Sequence, residues 1–359
     1  MARASVVVAM SGGVDSSVAA ALLKKQGYRV QGVFLRTWFD HSIDPEAENR
    51  CCSTADAEAA RRVAHKLGIE FHVLNTLVDF KKHIVDYFIR ELREGNTPNP
   101  CIPCNRLIRF SVLMRKARTL GADYLATGHY IHLARKKGGA VTVFRGKDGA
   151  KDQSYFHYTL TQEKLRHTLY PVGHYTKPEV RAMARKYALP TAEKSESQDL
   201  CFIPKGKYYD FLSKYLDLRP GVIQSADGRT LGQHKGLPLY TIGQREGLNI
   251  GDGGGPYYVV EKNAKTNTLI VAPKSSVNNF YIKEFRIKEV NFVSGKSPKL
   301  PFRCEVQTRY RQASVPATLV RLGQRYVIQL KSPQAAVTPG QSAVLYSGKQ
   351  LIGGGVIAG

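Results

Sequence analysis

One tryptophan, four methionines and six cysteines in 359 residues leave little room for several classes of protein. Six cysteines over this length are too few for a disulfide scaffold, so any that pair are expected to be catalytic, redox-active or metal-binding. No run of about 18 apolar residues is present, which excludes a membrane-spanning helix. The start, MARASVVVAMSGG, lacks the apolar stretch and small-residue cleavage site of a signal peptide, so a cytoplasmic protein with no membrane partner is expected. Acidic residues are also scarce, with 29 Asp and Glu against 53 Lys and Arg, a formal charge of +24 that suits a polyanionic partner. A hydrophobic fraction of 43% excludes a disordered chain and supports two or three buried cores.

The excess charge is placed unevenly. Residues 1–100 are nearly balanced, 13 basic against 12 acidic, whereas 101–150 carry 10 against 2 and 281–359 carry 12 against 3. Two separated basic regions fit a large ligand held at both ends, the alternative being a solvated surface.

From Ser5 the chain alternates strand-like and helical patterns: SVVVAM, VAAALLKKQGY, YRVQGVFLRTW, TADAEAARRVAHKLG, IEFHVLNT, DFKKHIVDYFIRELREG, LIRFSVLMRKARTLG and ADYLATGHY. This predicts an α/β domain with a doubly wound parallel sheet and a ligand site at the carboxyl ends of its strands. Beyond about residue 200, short alternating runs broken by Gly and Pro predict antiparallel sheets or barrels, with boundaries near 204 and 281. The expected units are 1–204, a small β-rich 205–280, and a β-barrel at 281–359. GDGGG at 251–255 is expected to be a loop.

SGGVDSS, Ser11–Ser17, lies between a strand and a helix, where backbone N–H groups and the helix dipole converge on an anion. An ordinary tight turn capped by serine is the alternative. No Gly-Lys-Ser/Thr follows, so this is not a Walker loop, and Asp15 is better placed as a Mg²⁺ partner than as a neighbour of phosphate. In TPNPCIPCNRLIRF, Cys101 and Cys104 form a Cys-x-x-Cys pair open to three readings: half of a metal site, a disulfide switch, or nucleophiles. No second Cys-x-x-Cys or His-x-x-x-His completes a zinc site. Positive charge from Arg106 and Arg109 would lower a thiol pKa from about 8.5 towards 6.5, raising the thiolate fraction at pH 7 from roughly 3% to roughly three-quarters. Cys201, in SESQDLCFIP, reads on its own as a buried structural thiol. Cys51 and Cys52 read as loop thiols and Cys304 as core.

SGGVDSS resembles the pyrophosphate loop of the ATP pyrophosphatase superfamily, whose members adenylate a carbonyl oxygen. More widely, SGGVDSS, NPCIPCNRLIRF, LATGHY, KDQSYF, PVGHYTKPEVR, SESQDLCFIP, GLPLYTIGQREGL and TRYRQ follow one another in the order found in tRNA-specific 2-thiouridylases, over nearly the whole chain. The resemblance implies an adenine-nucleotide alpha-hydrolase-like N-terminal domain, a small central domain and a C-terminal β-barrel. It also implies replacement of the C2 oxygen of wobble uridine by sulfur in the tRNAs for Lys, Glu and Gln. By the same resemblance, ATP with Mg²⁺ would lie on Ala9, Met10, Ser11, Gly12, Gly13, Val14, Asp15 and Ser16 with Leu35 and Gly128. Asn99, Pro100 and Cys101 would frame the flipped-out target base. Cys104 would be the nucleophile and Cys201 the persulfide carrier, charged by a cysteine desulfurase or sulfur-relay protein, and the two would be able to end as a disulfide. His129, Lys151, Asp152, Gln153, Arg309, Tyr310 and Gln341 would contact tRNA, Tyr310 being equally explained as a barrel side chain. Asp199 is a candidate proton acceptor or a loop cap.

One departure stands out: many members carry Asp where this chain has Cys101. Cys101, Cys104 and Cys201 would then be able to offer three thiolates to a [4Fe–4S] cluster. Outside this family, a 4-thiouridine or lysidine synthetase shares the loop but is not expected to match YTIGQREGL or DLCFIP. A zinc-stabilised tRNA-binding protein would need only the charge and the Cys-x-x-Cys.

Overall fold

The computed structural model describes residues 3–44, 54–195 and 200–359; Cys51, Cys52 and Asp199 lie outside them. The chain opens with β1 (Ser5–Ala9), the helix Val14–Lys25, β2 (Arg29–Arg36), the helix Thr54–Leu67 and β3 (Glu70–Asn75). Two long helical stretches, 77–93 and 101–119, precede β4 (Tyr124–Ala126). A hairpin, β5 (Ile131–Arg135) and β6 (Val141–Arg145), follows, and then β7 (Thr168–Leu169). Strands β3-β2-β1-β4-β7 form one sheet, parallel throughout. The order reverses between β1 and β4, so the crevice expected of a doubly wound sheet opens at their carboxyl ends.

The all-apolar strand β1 is explained by cover on both faces. Val6 and Val8 pack with Val18 and Ala19 of the first helix and Val180 of the helix Lys177–Lys186, while Val7 packs with Phe110 and Leu113. The second cluster continues without a break to Val344 and Tyr346, beyond residue 281.

The middle of the chain starts with a helix, Tyr208–Tyr215, where only β structure was expected. Phe211 and Leu212 bury against Phe80, Phe88 and Phe202, so this helix is held by the N-terminal unit rather than by the sheet that follows it. Asp40 fixes it as well. Burial raises that carboxyl's pKa, but hydrogen bonds from Lys214, at 2.6 Å, and from Tyr215 and Ser42 outweigh it and bring the value down to about 2. The sheet itself is β8 (Gly221–Ser225), β9 (Thr230–His234), β10 (Tyr257–Asn263) and β11 (Thr268–Pro273), in the order β10-β11-β8-β9.

The last unit runs through β12 (Ile282–Phe292), β13 (Phe302–Gln307), β14 (Val315–Leu322), β15 (Arg325–Gln334), β16 (Ser342–Ser347) and β17 (Gln350–Ile357). Because β12 pairs with both β15 and β17, the six strands close into a barrel. Cys304, read from the sequence as core, lies half-buried against the barrel's core, and burial pushes its thiol up to about 11. One connection was not expected. Hairpin strand β6 pairs with the start of β17, Phe144 opposite Gln350 and Val143 opposite Leu351, so the hairpin extends the barrel's sheet.

Candidate active site

The phosphate loop occupies the crevice. Gly12 turns the chain at φ 71°, and a Cβ there would lie 2.3 Å from the Asp56 carbonyl oxygen, so this position requires glycine. Gly13 is the N-cap of the helix Val14–Lys25 and no side chain caps that end. Its orphan N–H groups therefore face the loop, as an anion site needs. The Ser16 and Ser17 hydroxyls turn back to the Gly13 carbonyl at 3.1 and 2.8 Å, and Ser16 Oγ accepts the Ser11 amide at 3.2 Å, which sets the loop's curvature. Gly128, after β4, approaches so closely that a Cβ would sit 2.6 Å from the Ser16 nitrogen. Ala9 and Met10 lead into the loop from β1, and half-buried Leu35 is the penultimate residue of β2, the strand paired with β1.

Asp15 is not an open carboxylate. Lys177 Nζ bridges both its oxygens at 2.7 and 2.8 Å, and the Tyr130 hydroxyl donates to Oδ1 at 2.7 Å. One carboxylate does not make a resident metal site; it does suit Mg²⁺ that arrives on phosphate oxygens and keeps most of its waters. Lys177 was not singled out from the sequence. The signal was present in Thr-Lys-Pro-Glu: Thr176 and Glu179 form a capping box, which puts Lys177 at the first helical position.

Cys101 and Cys104 lie on the helical stretch 101–119, and Cys201 in a turn before the helix Tyr208–Tyr215. Asn99 Oδ1 accepts the Cys101 amide at 3.2 Å, and Cys104 N–H donates to the Pro100 carbonyl at 3.1 Å, so the Asn-Pro-Cys turn starts the helix. From Cys104 to Leu113 the helix is π-wound and broken by a kink at Phe110 (φ −95°, ψ 19°), an irregularity of the kind often found at functional sites. Lys164 supports it by donating to the Arg106 carbonyl at 3.2 Å and to Ser111 Oγ at 2.7 Å. Cys104 and Cys201 are both half-buried against one apolar cluster that includes Phe80, Ile108 and Phe202. Leu35, near the end of β2, borders that cluster and also the one around Val7 and Phe110. Cys101 is exposed and stands outside it. Among the described residues no three His, Cys, Asp or Glu side chains gather as a metal-ligand set. Among those residues the arrangement gives no support to a [4Fe–4S] cluster on Cys101, Cys104 and Cys201 or to a zinc site on the Cys-x-x-Cys.

The residues expected at tRNA divide into outer and inner groups. Arg309 is exposed and Lys151 half-exposed. Tyr310 is half-buried, its ring 4.4 Å from that of Phe156 in the N-terminal unit. Asp152 is buried and its carboxylate is fully engaged: it accepts from the amides of Gly146 and Ser154, the Ser154 hydroxyl and the Arg145 guanidinium at 2.8–3.1 Å. Gln153 Oε1 accepts the Tyr130 amide at 3.1 Å, and Gln341 donates to the Thr97 carbonyl at 2.7 Å, so the latter pins the barrel to the strand of chain leading into Asn99. His129 is buried. Arg109 donates to its Nε2 at 3.1 Å, which leaves Nδ1–H to donate to Thr127 Oγ1 at 2.7 Å. Burial, then His157, then Arg109 hold its pKa well below the usual 6.5, so the ring is neutral. Arg109 also donates to Asn105 at 3.2 Å, and Arg106 lies 3.9 Å from Glu289 of the barrel.

A strand-loop-helix anion site at the switch point of a doubly wound sheet, with thiols carried on an adjoining helix, defines a nucleotide-using enzyme of the ATP pyrophosphatase type. Residues 4–205 match the tRNA methyl transferase HUP domain, 209–273 the tRNA methyl transferase PRC-barrel domain, and 282–357 the aminomethyltransferase beta-barrel domain. A tRNA-specific 2-thiouridylase MnmA of Chloroflexus aurantiacus is 45% identical over 358 residues, covering 99% of this chain and 98% of the relative. The enzyme of the same name from Idiomarina loihiensis is 43% identical, covering 99% and 96%. A solved 4-thiouridine synthetase–RNA complex with bound ATP is 17% identical, with a TM-score of 0.35 over 59% of this chain and 50% of that one. The chain belongs to the tRNA-specific 2-thiouridylase family.

Proposed function

We propose that the protein is a tRNA-uridine 2-sulfurtransferase that uses ATP to exchange the C2 oxygen of wobble uridine for sulfur. The observation that carries this reading is the uncapped helix N-terminus at the switch point of the parallel sheet, in a chain whose Cys104 and Cys201 share one apolar cluster. In the proposed reaction, the loop amides hold the triphosphate while the uridine C2 oxygen attacks the α-phosphorus of ATP and pyrophosphate departs. Mg²⁺, carried in on the phosphates and held by Asp15, would neutralise charge on the leaving group. The terminal sulfur of a Cys201 persulfide attacks the activated C2. Cys104 thiolate then attacks the Cys201 sulfur, so that the S–S bond of the persulfide is exchanged for a Cys104–Cys201 disulfide, and AMP leaves with the oxygen. An external reductant restores both thiols.

The base pocket is assigned to Asn99, Pro100 and Cys101, with the tRNAs for Lys, Glu and Gln as substrates. A cysteine desulfurase or sulfur-relay protein charges Cys201. Lys151, Arg309 and Tyr310 would meet RNA directly. Buried Asp152, His129 and Gln341 and half-buried Gln153 act from behind by fixing the segments that do. The test is incubation with ATP, a persulfide donor and tRNA, followed by digestion to nucleosides. 2-Thiouridine is expected, and Cys104→Ser and Cys201→Ser should each abolish it. 4-Thiouridine, lysidine or unmodified nucleosides would each overturn the assignment.

A further inference from the structure

The loop Ser11–Ser17 contains no lysine, whereas loops that hold triphosphates commonly carry one to balance the outer phosphates. The fold brings one in from a distant segment. Lys177 is 7% exposed and is set by three contacts before its side chain begins: the capping box of Thr176 and Glu179, a bond from its own amide to Asp148 at 2.9 Å, and the Lys147–Glu179 ion pair at 2.8 Å. That much bracing fixes where the ammonium arrives. It arrives on Asp15, in the first turn of the helix whose N–H groups face the loop. A phosphate seated on those N–H groups lies within a few ångströms of Asp15, a like charge that would oppose it.

Resting on the nucleotide reading above, we propose that Lys177 is an unassigned phosphate-binding residue that changes partners. Without nucleotide it neutralises Asp15. With nucleotide its ammonium passes to the oxygens of the pyrophosphate half of ATP, and the vacated carboxylate receives the metal. Tyr130, bonded to Asp15 and with its ring 5.9 Å from the ammonium, keeps the carboxylate in place during the exchange.

Calorimetric titration of the full chain, with pyrophosphate, ATP and AMP as probes in EDTA and again with Mg²⁺, tests this. Lys177→Met should weaken pyrophosphate and ATP by about tenfold to a hundredfold, the worth of one charge-assisted contact, and leave AMP within about twofold. Lys177→Arg should retain part of the affinity. Thermal melts accompany each variant, and where Lys177→Met does not fold, Asp15→Asn/Lys177→Met removes the stranded carboxylate and replaces it. That double variant also separates contact from neutralisation. It should stay weak for pyrophosphate in EDTA; recovery to wild-type affinity, or equal weakening of ATP and AMP, would overturn the proposal. A wild-type chain that binds neither ATP nor pyrophosphate overturns the nucleotide reading, and this proposal with it.

Discussion

Lys151 and Asp152 are adjacent, carry opposite charge and do unlike things. Asp152 is spent on four donors, one of them a cation, so it is internal scaffolding. Asp152→Ala should cost about 3 kcal/mol, the usual loss when one side of a buried charge pair is removed, and lower the melting temperature by several degrees. Lys151→Ala should leave the melt unchanged and reduce the slope of log affinity for tRNA against log salt by about one. The reverse pattern would mean that the carboxylate reads RNA. At this scale the sequence was informative about which residues matter and silent about how. SGGVDSS and the Asn-Pro-Cys turn were legible because their chemistry is local. The inward bonds of His129, Gln153 and Gln341 were not, since their partners are set by tertiary contacts.

Among elements, those whose own periodicity decides them were readable: β1, β2, β3 and the helices between them fall where the pattern put them. The helix Tyr208–Tyr215 was missed because its apolar face is completed by Phe80 and Phe202 and its end is tied by Asp40, all from the N-terminal unit. That tie has a pH signature. The Asp40 carboxyl is held at about 2, below its ordinary 3.8, so its ionised form favours the folded state. The contribution, about 2 kcal/mol, is complete above pH 4 and disappears as pH falls through 2. Chemical denaturation of Asp40→Asn against wild type should show this difference at pH 7 and its closure near pH 2. A difference that is constant with pH would refute the tie.

Across the whole molecule, the barrel is not an appendage. The Val7 cluster runs into Val344 and Tyr346, and β6 pairs with β17. Gln341 holds Thr97, and Arg145 lies 3.6 Å from the centre of the Tyr346 ring while bonding Asp152 and Gln307. Calorimetry should therefore show the N-terminal unit and the barrel melting in one transition, and Arg145→Leu should split it in two. Two transitions in the wild type would argue against the coupling. The sequence placed basic residues in two regions, 101–150 and 281–359, but not the seam between them, because the second partner of β6, β17, lies roughly two hundred residues further along the chain.

The β6–β17 pairing also sets a schedule for biosynthesis. Strand β17 follows β6 by roughly two hundred residues, on the order of 10–40 s of translation at ~5–20 residues/s. Through that interval the nascent chain presents a ready hairpin whose β6 edge, at Val143 and Phe144, is still unpaired. This hairpin is where a ribosome-associated chaperone would be needed and where misassembly between neighbouring nascent chains would begin.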